Sequence, residues 1–254
     1  MLSVVVLTKN EEKNIIDCLE SISWVDEIII VDDYSDDRTL EIIKNLEINK
    51  KVKVFKRRLE NDFSAQRNFF LNKTKFDWVL YLDADEIITK ELRDEINTIL
   101  INEKNNPVNF GFYIPRKDVM WGKLIKHGEM GKIKLLRLIK KDSGKWIGKI
   151  HETYQTNKRT SELENHILHY PHQSVNEFIK EINFYTSIRA RELYESGVKT
   201  SFLQILIYPK AKFFVNYFLN LGVLDGIEGL VLAILMSFHS FLVRAKLYFL
   251  CQKK

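Results

Sequence analysis

Two spacings of apolar residues alternate along the first hundred positions. "LSVVVLT" (residues 2–8) is a short, β-branched, unbroken apolar run, the pattern of a strand covered on both faces. After "KNEEK" the spacing changes, and Ile15, Ile16, Leu19 and Ile22 recur on one helical face of "NIIDCLESIS". The pair then repeats. "DEIIIVDDYSDD" predicts a second buried strand ending in acids, and "TLEIIKNL" a second helix. "VKVFKR" predicts a third strand, "DFSAQRNFFLNKT" a helix, "WVLYLDAD" a fourth strand and "ELRDEINTIL" a helix capped by Thr89. This alternation specifies an α/β fold with a doubly wound, mostly parallel sheet.

From about residue 107 to 172 the pattern breaks into short strands and turns, among them "GFYIPRK", "KLLRLIKK", "GKWIGKIHETY" and "HILHYPH". These predict an antiparallel extension laid over the carboxyl edge of the sheet. Residues 174–196 follow as an amphipathic helix with Phe178, Ile182, Tyr185 and Ile188 on one side. The expected division is a catalytic domain at 1–172, itself made of halves 1–105 and 106–172, and a helical region at 173–254.

That last region is rich in Leu, Phe, Ile and Tyr, yet its longest span without Asp, Glu, Lys or Arg is Gly229 to Val243, 15 residues. A bilayer-spanning helix needs about 20 apolar residues. Helices lying in the membrane interface are therefore expected, or else a helical subdomain or oligomer contact. The charge supports the first: residues 200–254 carry six basic against two acidic residues, most of the net +5 of the chain. The overall 45% hydrophobic and 29% charged residues are those of a globular enzyme. Two cysteines, Cys18 and Cys251, give no disulfide framework or zinc site. The N-terminus reads as a first strand rather than a signal peptide. A cytoplasmic protein, peripheral at the inner membrane face, is expected, with no nucleic-acid partner.

The chemistry concentrates in "WVLYLDADEIIT". Asp83, Asp85 and Glu86 follow a buried strand, where unpaired charge is costly unless a cation or polar ligand compensates it. In open α/β sheets ligands bind beyond the carboxyl ends of the strands, so the acids ending strands two and four face one crevice. No G-x-G-x-x-G or Walker A sequence is present, which disfavours a dehydrogenase or P-loop kinase. A nucleotidyltransferase should carry a glycine-rich loop after its first strand, and "TKNEEKN" has no glycine.

In order and spacing, "VVVLTKNEEKNI", "IIIVDDYSDDRT", "SAQRNFFL" and "WVLYLDADE" resemble family 2 of the glycosyltransferases, which have the GT-A fold. "GFYIPRK", "LLRL", "IHE" and "GVLDGIEGLVLA" narrow the resemblance to the bacterial branch that includes the lipopolysaccharide-core β-1,4-glucosyltransferases. It runs over about residues 2 to 248. The resemblance implies an inverting transfer of a hexose, glucose from UDP-glucose, to a saccharide or lipid-linked saccharide acceptor such as lipopolysaccharide core. The alternatives are a glycosyltransferase acting on a protein or peptide side chain, and a non-catalytic nucleotide-sugar-binding module.

A diphosphate leaving group needs charge neutralisation, which a divalent cation, Mg2+ or Mn2+, supplies with carboxylate ligands. By resemblance Asp85 is the metal ligand, and Asp83 contacts the ribose or the metal's water shell. If strand geometry continued through "DAD", both would face one side. Glu86 reads as a helix-entry residue or a partner of these acids. Asp32 and Asp33, ending strand two, are candidates for the base or ribose, as by resemblance are Thr8, Asn10 and Glu11; Asn10 reads equally as a helix cap. Ser35 and Asp37 read as turn-shaping residues. Gln66 and Arg67 lie on the next helix facing the same crevice, with Arg67 expected near the nucleotide or else in a surface salt bridge. Many relatives carry a Glu-Asp pair as base well beyond the D-x-D; none stands in a comparable setting here. Glu152 is the expected base, His151 its substitute or orienter, and Asp118 the reserve. Arg116, Arg137, Trp121, Trp146 and His127 could serve an acceptor, whereas His166, His169 and His172 read as structural.

Overall fold

In the computed structural model, residues 1–46, 51–60, 62–149, 152–171 and 174–252 are described. Four parallel strands form the centre of the sheet: β1 (Leu2–Thr8), β2 (Glu27–Asp32), β3 (Val52–Lys56) and β4 (Trp78–Asp83). Between and after them run α1 (Ile15–Ser21), α2 (Thr39–Asn45), α3 (Phe63–Leu71) and α4 (Lys90–Asn105). The two-faced burial expected of "LSVVVLT" is met by alternation. Val4, Val6, Ile28, Ile30, Leu80 and Leu82 pack toward α1, α2 and α4, while Val5, Ile29, Val79 and Tyr81 pack toward Phe70 and Leu71 of α3. Thr89 caps α4 by accepting the Leu92 N–H at 3.2 Å, and Asp62 caps α3 by accepting that of Ala65 at 2.8 Å.

The antiparallel part begins with β5 (Glu86–Ile88), two residues after β4. It continues through β6 (Gly111–Met120), β7 (Lys123–Leu124), β8 (Lys134–Lys140), β9 (Lys145–Ile147), β10 (Thr153–Gln155), β11 (Thr160–Glu162) and β12 (Ile167–His169). The strand order is β3-β2-β1-β4-β8-β6-β12-β5. The hairpin of β9 and β10 covers the α3 side, where Trp146 and Tyr154 join the core beside Tyr81.

Two compact units result, residues 1–116 with 134–169, and residues 117–133 with 170–254. The segment 117–133, read from the sequence with the catalytic half, therefore clusters with the C-terminal helices. In this second unit α5 (Val175–Glu195) buries Phe178, Ile182, Thr186 and Ala190, a strict four-residue line. Tyr185 and Ile188, expected on that face, are only half-buried at its flank. α6 (Phe202–Phe214) leads through a π-helical turn and a 3-10 turn (Gly222–Asp225) into α7 (Gly226–Gln252). Residues 222–252 are long and apolar enough to cross a membrane, by length and composition alone.

The "GVLDGIEG" motif has a packing explanation. A Cβ on Gly229 would lie 1.9 Å from the Gly222 carbonyl oxygen, so the turn and the start of α7 can close only on hydrogen. The buried Asp225 between them accepts the backbone N–H of His127 at 2.8 Å and lies 2.9 Å from its ring Nδ1. This motif holds the second unit together.

Candidate active site at the carboxyl edge of the sheet

Register brings the acids to one edge. Thr8 stands opposite Asp32 in the β1–β2 ladder, and Leu7 opposite Asp83 in the β1–β4 ladder. Asp32 is fully buried and both its oxygens accept the Ser35 N–H, at 3.2 and 3.1 Å. Asp33 accepts from Lys9 Nζ at 2.8 Å and from the Leu59 N–H at 3.0 Å. Asn10, at φ 57°, donates its N–H to Ser35 Oγ and accepts that of Asp36 through its side chain, both at 2.9 Å. It is thus a clasp between the loops after β1 and β2 rather than the cap of α1, a position held by Asn14. Asp37 accepts the N–H groups of Glu12 and Thr39, so Ser35 and Asp37 shape the turn as expected. Thr8 Oγ1 is buried without a hydrogen-bond partner, the kind of polar atom that a ligand satisfies.

Glu11 marks a concentration of negative charge at this edge. Its carboxyl is pushed up to about 7, by burial first and then by the charge of Asp85, against a hydrogen bond from Asn14.

The acidic stretch divides in a way the sequence did not indicate. β4 stops at Asp83, Ala84 and Asp85 form a turn, and β5 starts at Glu86, so the strand geometry assumed for "DAD" does not continue. Alternation along β4 sends Asp83 to the Tyr81 side, toward α3. There its Oδ1 accepts from Arg67 at 2.9 Å and its Oδ2 from Arg137 at 2.6 Å. The compensating positive charge is, for Asp83, two arginines of the chain itself. Burial alone would raise this carboxyl; Arg137 and Arg67 outweigh it and hold it well below the usual carboxylate range. Glu86 is fully buried, lies 3.4 Å from Arg137, and accepts the Asp83 backbone N–H at 2.9 Å. Burial pushes its carboxyl up, opposed by Arg137.

Arg67 is a buried clamp, which rules out the alternative of a surface salt bridge. Its Nε donates to Glu152 at 2.7 Å, and its guanidinium lies over Trp146 at 4.9 Å and Tyr81 at 5.4 Å. Gln66, also buried, bonds to Arg57 through both ends of its amide. Glu152 is thereby fixed in the same network as Asp83. His151 and His172 lie outside the described residues. Asp118 belongs to the second unit, where it is buried and its carbonyl accepts the Ile125 N–H at 2.8 Å.

Asp85 follows a different course. Its side chain is 24% exposed, and Oδ2 lies 3.2 Å from Nε2 of His169. The β5–β12 ladder makes this contact by setting His169 opposite Glu86. The sequence reads His169 as structural, for want of a helical apolar pattern around the three histidines and with Pro171 between them. Arg137 carried a readable signal: a lone charge inside the apolar run "KLLRLIK" requires a buried partner. Among the described residues no three His, Cys, Asp or Glu side chains converge as a complete metal cage. A carboxylate beside an imidazole in a negative field does fit a divalent cation that takes its other ligands from substrate or water.

A doubly wound parallel core with acids ending β2 and β4 and an antiparallel flank is the architecture of the GT-A glycosyltransferases. The crystal structure of S. aureus TarS in complex with UDP shares the fold at a TM-score of 0.50 and 14% identity, covering 100% of this chain and 92% of that one. Residues 3–158 match the model of Glycosyl transferase family 2, and the chain belongs to that family. Relatives include an uncharacterized glycosyltransferase of Rickettsia typhi, 29% identical over 97% of this chain and 86% of the relative. The lipopolysaccharide core biosynthesis glycosyltransferase LpsC of Rhizobium meliloti is 27% identical over 97% of this chain and 92% of its own.

Proposed function

We propose that this chain is a metal-dependent inverting hexosyltransferase that uses a UDP-sugar, UDP-glucose first among candidates, and a saccharide acceptor of the lipopolysaccharide-core kind. The observation that carries this reading is the separation of Asp85 from its neighbours: Asp83 and Glu86 are compensated by arginines, while Asp85 faces the imidazole of His169. The name of the Rhizobium relative and the UDP held by the TarS fold neighbour support the acceptor and donor classes. The cation, when bound at Asp85, supplies Lewis-acid stabilisation of the departing diphosphate. Thr8, Glu11 and the Asp32–Asp33 turn border the nucleotide. Glu152, held by Arg67, receives the proton of the acceptor hydroxyl.

The test is transfer from UDP-glucose to a lipopolysaccharide-core acceptor with Mn2+ or Mg2+. Asp85→Asn should abolish metal-dependent turnover, and Glu152→Gln should lower kcat by about 10²–10⁴-fold with donor affinity retained. Wild-type turnover by the first variant sinks the metal assignment, and by the second the base assignment.

We also place the protein at the cytoplasmic face of the membrane as a peripheral enzyme. Phe202, Leu203, Ile207 and Phe214 are exposed along α6. Sedimentation with anionic vesicles should recover the protein at low salt; no binding at low or high salt sinks this reading.

A further inference from the structure

Resting on the membrane reading above, we propose that the turn joining α6 to α7 enters the acyl layer of an anionic bilayer as a wedge, and that α7 does not cross it. Phe214, Val215, Phe218, Leu219, Leu221 and Leu224 are all exposed around this turn, Leu219 and Leu224 at 64% and 63%. From Phe213 to Leu224 the chain carries no Asp, Glu, Lys or Arg. A turn that faces water is normally built from Gly, Asn, Asp, Ser and Pro, so this one has the reverse composition. Leu221 stands at φ 60°, a left-handed conformation unfavourable for an L residue, and there it holds an apolar side chain in the open.

Backbone and charge both fit this turn to lipid. In hydrocarbon, backbone polar groups must find partners within the protein. Here the Asn220 N–H donates to the Val215 carbonyl at 2.8 Å, that of Leu221 to Phe218 at 3.1 Å and that of Leu224 to Leu221 at 2.9 Å, while the Asn220 carbonyl accepts the Gly128 N–H at 2.9 Å. The acids beside the turn are engaged internally: Asp225 with His127, Glu228 with Lys123, and Glu129 with Lys212. Lys126, Lys132 and Lys210 are exposed, and Lys132 Nζ donates to the side-chain oxygen of Asn220 at 3.1 Å, at the apex itself. An apolar tip flanked by lysines complements an acyl layer beneath anionic headgroups. A crossing by α7 is disfavoured by its charges. Arg244 lies over the Tyr208 ring at 4.1 Å, and Lys246 donates to Asn183 and Thr186 of α5 at 2.9 and 2.8 Å, contacts that hold both cations to the neighbouring helices.

The experiment uses the full chain with Cys251→Ser, in which the remaining Cys18 is buried, and places a spin label at Leu219→Cys or Leu224→Cys. The probe is a vesicle of phosphatidylcholine and phosphatidylglycerol. On binding, each label should become more accessible to oxygen and less accessible to a water-soluble nickel chelate than in vesicle-free solution. Binding should persist in about 1 M NaCl, where the lysines are screened but the apolar tip is not. The double variant Leu219→Glu/Leu224→Glu should lose about tenfold or more in vesicle partitioning with an unchanged thermal midpoint, because both side chains are exposed in the folded protein. Labels that stay open to the nickel chelate on sedimented protein overturn the wedge and leave the peripheral reading standing. No sedimentation at low or high salt overturns both. Dimerisation in vesicle-free solution that shields both labels assigns the turn to a second copy of the chain and also overturns the wedge.

Discussion

Replacing Asp83 by Asn removes a charge while keeping the side-chain shape, and so separates the two roles open to this acid. In the wild type Asp83 stands between Arg67 and Arg137, whose side chains are 2% and 7% exposed. Neither guanidinium can be rehydrated when the carboxylate goes. Removing one partner of a fully buried pair costs about 3–5 kcal/mol. Two features of the site reduce that figure. Asp83 is itself 31% exposed, so water screens part of its interaction, and the arginines keep other acids, Glu152 at 2.7 Å and Glu86 at 3.4 Å. The expected loss at pH 7 is about 2–3 kcal/mol, read as a lower denaturant midpoint at unchanged slope.

The pH dependence carries a sign. The folded carboxyl lies well below its ordinary value of 3.8, so its stabilisation is complete above that value and fades as the pH falls through it. The gap between wild type and Asp83→Asn should be flat from about pH 8 to 5 and narrow below about pH 4. If the variant is as stable as wild type within about 0.5 kcal/mol, yet loses Mn2+ affinity as fully as Asp85→Asn, the reasoning fails and Asp83 is a metal ligand.

Glu11→Gln tests the negative field from the other direction. A carboxyl raised from 4.5 to about 7 binds its proton more tightly folded than unfolded, so wild-type stability falls relative to the variant as the pH rises between those values. The variant should gain about 1–2 kcal/mol across that window in paired denaturation curves, after discounting for partial exposure. Gly229→Ala should destabilise the second unit by more than about 3 kcal/mol, because its methyl group would meet a backbone oxygen that cannot yield. Limited proteolysis should then cut within residues 170–252 before the sheet is attacked, and equal resistance would refute the packing argument.

The core was legible because its signals are local. A β-branched run such as residues 2–8 or 27–32 can satisfy its backbone only in a sheet, and the intervening three-and-four spacing gives helices. Thr89 and Asp37 were readable for the same reason, since each bonds to N–H groups close along the chain or across one turn. What escaped were contacts set by strand pairing at long range. Nothing near residue 83 announces Arg137, 54 positions away, and nothing near residue 85 announces His169. The strand geometry that would have turned Asp83 and Asp85 to one side ends at Ala84, where a turn replaces the strand. "GVLDGIEG", read from the sequence as a mark of family, proves to be a close approach of two glycine-bearing segments.

The arrangement also couples the acid proposed as base to the acids at the end of β4. Arg67 touches Asp83 through one nitrogen and Glu152 through another, so both carboxylates share a single guanidinium. Stacking over Trp146 and Tyr81 keeps that guanidinium from following either acid alone. If Glu152 acts as the proposed base, its protonation weakens its hold on Arg67 and leaves Asp83 the stronger partner. Asp83 in turn keeps its ionised form through Arg137. The acids at the end of this strand therefore divide into Asp83 and Glu86, which face arginines, and Asp85, which faces the imidazole of His169. A site in which all three were open would need more than one cation, and a site in which all three were paired would have no place for any.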